Sequence, residues 1–161
     1  MADRMFDVLT RLMGQLHAGR VTMHVWLQSA MRGEHPIASK FGLQIGFGAI
    51  VLAMRQLDDF WSDQVPTLYP DRQARPAEGK WLVDEVKSRN LRNTANLLVA
   101  HYAQRTKQLL SADEGIALIR SNRWDTEDEV IAWTKQVIEK VGALLERLND
   151  DYQLGKTFTA L

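Results

Sequence analysis

The sequence predicts an all-α fold, an up-and-down helical bundle of four to five helices. Three observations carry that expectation. Apolar residues recur at three- and four-residue spacing along most of the chain. No segment alternates apolar and polar residues as a half-buried strand does. The later periodic segments are joined by short connections, which favour antiparallel neighbours. With 161 residues, 45% of them apolar and 25% charged, the chain matches one globular domain in size and composition.

The first helix is expected from about Asp3 to Arg32, with Gly14 or Gly19 as a point of kinking. Phe6, Leu9, Leu12, Met13 and Leu16 mark one face of it. "RGEHP" ends it, because Gly33 suits a C-terminal cap and Pro36 cannot continue the same helix. A second helix is expected from Ile37 to Trp61. Gly42 and Gly46 lie one turn apart in it, where another helix can approach closely. Glycine inside a helix costs about 1 kcal/mol against alanine, so tight packing is expected to offset it. "SDQVPTLYPDRQARP" then predicts a long connection, with Pro66, Pro70 and Pro76 as breakers.

A third helix is expected from Pro76 to about Gln108. It bends between Ser88 and Asn93, since Ser and Asn are weak helix formers. "SADE" at 111–114 predicts a short helix to Arg120, capped by Ser111 with Glu114. "TEDE" at 126–129 predicts the start of the last long helix through Thr126 and Glu129. Val130, Val137, Val141, Leu144, Leu148 and Tyr152 form its expected buried stripe. No internal repeat interrupts this order, and residues 153–161 read as a tail.

The chain contains no cysteine, so disulfides and thiolate metal sites are excluded. Its opening, "MADRMFDVLT", carries no apolar signal core, and a cytoplasmic location is expected. The longest uncharged stretch, "FGLQIGFGAIVLAM" from Phe41 to Met54, falls short of the about 20 residues that span a membrane. A buried helix and no membrane association are expected there. Formal net charge is zero, yet residues 71–110 hold eight basic and four acidic groups, net +4, against net −4 for residues 111–161. Such a basic third either attracts an anionic partner or forms a solvated face opposite the acidic last helix.

The chemistry available is limited. A dimetal carboxylate bundle needs Glu-x-x-His pairs, and none of His17, His24, His35 or His101 has a glutamate three residues before it. His17 and His24 share a face but lie about 10 Å apart along a helix, too far for one metal. A mononuclear site from His24, His101 and Asp58 stays open, although no cofactor is expected. "GLQIGFG" follows no strand and so makes no dinucleotide loop. Histidine with arginine remains. Histidine titrates near neutral pH, and arginine offers a fixed fork of donors to phosphate oxygens. Together they suit metal-independent cleavage of RNA.

At "LRNTANLLVAHYAQ", residues 91–104, the chain resembles the HEPN superfamily, whose signature sets an arginine and a polar residue ahead of a histidine. "IVLAMRQLDDFW", 50–61, is similar to the second-helix region of its abortive-infection-associated branch. The order of a short capped helix and a long final helix also fits. The resemblance covers about residues 40–152. It implies a small helical bundle, a homodimer with its site in the dimer cleft, and RNA as partner. It also implies a role as a metal-independent endoribonuclease of a toxin–antitoxin or antiphage system, or as an inactive member that only binds. A cognate antitoxin protein is the further partner implied.

The family spacing leaves four to six residues between arginine and histidine. Here those places hold Thr94, Ala95 and Asn96. The resemblance therefore carries His101 over as the catalytic base and Arg92 as its arginine, with eight residues between. At about 100° per residue, nine steps put these two on opposite sides of a straight helix. Arg105, one turn after His101, is the substitute on the same face. Arg89, Asn93, Asn96 and Lys107 are the candidate RNA contacts. Each has a plainer reading beside it. His101 is equally read as a hydrogen-bonded core residue. Asp58 and Asp59 are surface acids or partners of His101 or an arginine. Trp124 either stacks on a base or packs on the last helix, and Tyr102 belongs to the core or the dimer interface. Three functions follow: an RNA-directed effector with possible nuclease activity, a non-catalytic interaction module on the same surface, and a mononuclear metal bundle.

Overall fold

Two long antiparallel helices form the spine of the fold, α1 (Ala2–Met31) and α2 (Pro36–Leu68). They approach most closely where glycine faces glycine. A methyl group on Gly46 would lie 2.8 Å from the Gly19 carbonyl oxygen, and one on Gly19 would lie 2.9 Å from that of Gly46. Trp26 lies against Gly42 in the same seam. The close packing expected at Gly42 and Gly46 is therefore present, and Gly19 supplies its other half. The connection needs left-handed backbone at Gly33 (φ +69°) and His35 (φ +44°). Ser39 fastens it, its hydroxyl lying 3.1 Å from the Glu34 carbonyl and 3.2 Å from the Ser29 hydroxyl.

The computed structural model describes residues 1–103 and 112–159, with side chains throughout except at 99–103, 112, 115 and 116. Beyond the spine, these residues form α3 (Ala77–Ser88), α4 (Leu91–Ala103), α5 (Ala112–Ser121) and α6 (Glu127–Asp151), with a 3-10 turn at Arg72–Ala74. No strand occurs among the described residues. The all-α bundle predicted from the periodicity is the observed fold, and α2 packs against each of the other five helices. α2 is long and apolar enough to cross a membrane by length and composition, and 61% of its most apolar window is buried in the bundle.

Two expected boundaries and one expected core residue are corrected. α2 does not stop at Trp61 but runs through Pro66 to Leu68. Val65 and Tyr69 are buried, so the apolar stripe continues and offsets the hydrogen bond that proline removes near the helix end. The expected third helix is two helices, because Asn90 stands at φ +56° between α3 and α4, a conformation no helix interior accepts. Tyr152 lies outside the buried stripe of α6. Its hydroxyl donates to the Leu68 carbonyl, and its ring meets that of Tyr69 edge-on.

The expected start of α6 is present. Thr126 caps α6, its hydroxyl accepting from the Glu129 N–H at 3.3 Å. Glu129 reaches back to the N–H of Asp125 rather than that of Thr126. The Ser111 cap lies outside the described residues. The tail is tied down: Lys156 donates to Asp7 at 2.7 Å, and Phe158 packs edge-on against Phe6.

Candidate nucleic-acid interface

Of the candidate residues, Arg89, Arg92 and Asn93 lie at the break between α3 and α4. Asn90 turns the chain there and accepts the N–H of Thr94 through its carbonyl at 3.3 Å. Asn93 is exposed, and its amide donates to the Asn90 side chain at 2.8 Å. Asp58, Ser62, Val86, Lys87, Asn90, Arg92 and Asn93 line a shallow cleft of about 380 Å³ at this junction.

Arg92 is turned to the acids of α2. Its guanidinium donates to Asp58 at 2.6 Å and to Asp59 at 2.7 Å. The hydrogen bond to Asp58, followed by the charges of Asp59 and Asp58, raises its pKa above the ordinary arginine value. Only 5% of the Asp58 side chain is exposed, against 52% for Arg92. Asp59 also meets Arg55 at 3.7 Å. Two carboxylates and two guanidinium groups neutralise one another locally, so Arg92 itself brings no surplus charge to a phosphate.

Arg89 is also committed. It pairs with Glu85 at 2.9 Å and donates to the Arg123 carbonyl at 3.1 Å. Its guanidinium lies over the Trp124 ring at 4.4 Å from the centroid and near Trp133 at 5.5 Å. The indole of Trp133 donates to the same Glu85 carboxylate at 2.6 Å. Trp124 is buried, with its edge on Phe47 and Trp133. Arg89 and Trp124 therefore join α3 to the start of α6. Sequence reading missed Glu85 as the hub of this group. Its signal was present, since Glu85 and Arg89 stand at the i,i+4 spacing that pairs charges on a helix.

The positions where the family arginine would stand are well defined. Thr94 is buried and donates to the Asn122 side chain at 2.8 Å. Ala95 is fully buried, as is Leu98. Asn96 faces solvent, and Leu97 is half exposed. The backbone of His101 belongs to α4, while its side chain, Arg105 and Lys107 lie outside the described residues, as does the side chain of Tyr102. No group of three metal-ligating side chains occurs among the described residues. His24 is exposed on α1, and Asp58 is engaged by Arg92. Comparison with family models, curated proteins and solved structures returns no match for this chain.

Proposed function

We propose that the protein is a HEPN-like, RNA-directed helical module of the cytoplasm that binds RNA without cutting it. The observation that carries this reading lies at residues 94–96. Two of the three places for an arginine beside His101 face the core as Thr94 and Ala95, and the third is the neutral, solvent-facing Asn96. A phosphorane needs a positioned cation, and Arg92 is held by Asp58 and Asp59 instead. The RNA half of the reading rests on the resemblance and on free positive charge. Of the basic residues at 71–110 that are described, Arg72, Arg75 and Lys87 have no acidic partner among the described residues.

A second copy is the proposed structural partner. Ile37, Phe41 and Ile45 stand one turn apart on α2, each 46% exposed or more. An apolar row of this kind suits contact with another chain.

The nuclease reading remains the second one, with His101 as base and Arg105 as cation. Incubation of purified protein with total RNA, with and without EDTA, separates the two. Binding with intact RNA is the expected result. Cleavage that persists in EDTA and disappears in His101→Ala would replace this proposal with the enzyme.

A further inference from the structure

A second cleft, of about 550 Å³, opens on the other side of Lys87, between the end of α2, the 3-10 turn and α3. Arg72, Arg75, Lys80 and Lys87 line it, with Asp84 as the one acid. Lys80 is paired with Asp84. Arg75 spends its Nε on the Tyr69 carbonyl at 3.1 Å, which fixes the guanidinium at the rim. Arg72 and Lys87 have no partner among the described residues and face solvent. The lining thus sums to four cations and one anion, net +3. Trp61, Pro76 and Val83 supply an apolar wall between them. Trp61 itself is held rigidly, because its ring lies against Gly79 of α3.

Positive charge around an apolar wall, with Arg75 held in place, suits a ligand with a phosphate and a flat or apolar body. We infer that this cleft is a phosphate-ester site that seats one nucleotide unit of a single-stranded RNA. Arg72, Arg75 and Lys87 contact phosphates, and the sugar or base lies along Trp61, Pro76 and Val83. Lys87 also lines the cleft at Asn90 and Asn93, so the strand continues from one cleft to the next along α3. The ligand's identity as RNA rests on the function proposed above; the cleft's preference for a phosphate ester rests on its own lining.

The test has two arms. In the first, fluorescence anisotropy follows a labelled single-stranded RNA of about ten nucleotides, within the usual site size for such grooves. It compares wild type, the Arg72→Ala/Lys87→Ala double variant and a control, Arg120→Ala/Lys135→Ala, at several salt concentrations. In the second, adenosine monophosphate is titrated while NMR follows the backbone amides of residues 75–80. The double variant should weaken RNA binding tenfold or more and lower the salt slope by about 1.4, the loss of two phosphate contacts on a single strand. The control should change neither, and the nucleotide should shift the amides at 75–80. RNA binding that is unchanged in the double variant overturns this site while leaving the RNA reading intact. Amide shifts with no RNA binding by wild type overturn the RNA reading and leave a nucleotide-phosphate site. Neither response overturns both.

Discussion

A carboxylate as deeply buried as Asp58 needs a donor, and Arg92 is its donor. Arg92→Ala leaves that carboxylate without a partner. Removing one member of a buried pair costs about 3–5 kcal/mol, but Arg92 is half exposed and solvent screens it, so about 1–2 kcal/mol is expected here. Denaturant unfolding checks this, and Asp58→Asn in the Arg92→Ala background should recover part of the loss. A catalytic Arg92 would instead leave stability unchanged. Tyr69 gives a pH prediction. Burial first, then its hydrogen bond to Asp151, raises its pKa above the ordinary 10.0. The neutral phenol is thus favoured in the folded state. Its contribution is complete below pH 10.0 and declines as pH rises from there towards the folded value. Tyr69→Phe should show a shallower loss of stability than wild type in alkaline denaturation. Asp58 was legible as the partner of an arginine, but not that the arginine is Arg92, and the Tyr69–Asp151 pair was not legible at all. Arg92 and Asp58 are 34 residues apart, and Tyr69 and Asp151 are 82 apart, so only the packing of helices brings them together.

At the scale of helices, close packing between α1 and α2 turns on two glycines. Gly46→Ala should destabilise the protein by about 1–3 kcal/mol, because the methyl meets the Gly19 carbonyl and Met23. Gly142→Ala in α6 should do the opposite. A methyl there meets nothing within 4 Å, so the gain in helix propensity of up to about 1 kcal/mol is kept. Thermal melts of the two variants should move in opposite directions. This seam was readable from the sequence, since glycines one turn apart inside an apolar helix need a reason to be there. The end of α2 was not. Proline at 66 is a strong local signal, and only the burial of Val65 and Tyr69, seen in the fold, outweighs it. The break at Asn90 was legible as weak helix formers, but not as a left-handed residue that separates two helices. The candidate site suffered most from this difference. A continuous helix would have carried Arg89 and Arg92 along one surface, whereas the break hands Arg89 to Trp124 and Arg92 to Asp58.

For the whole molecule, the account predicts assembly and binding. Light scattering should find a dimer at micromolar concentration, with an interface of at least about 1,000 Å². Phe41→Glu should yield a monomer with unchanged helicity, because Phe41 is exposed and its loss disturbs no core. The bundle itself followed from periodicity, caps and glycine spacing, all of which act locally. The proposed RNA binding did not, because it turns on which cations remain free after folding. Charge counting found the basic third of the chain but ranked Arg89 and Arg92 beside Arg72 and Lys87. Folding consumes the first two and leaves the others at the surface. The most direct test of binding without cutting uses one labelled single-stranded RNA and one sample of dimer. The sample is run on a native gel, and the shifted band is then run on a denaturing gel. The account predicts a shifted complex that contains only full-length RNA. RNA fragments that are absent with His101→Ala would contradict it, as would RNA that never shifts.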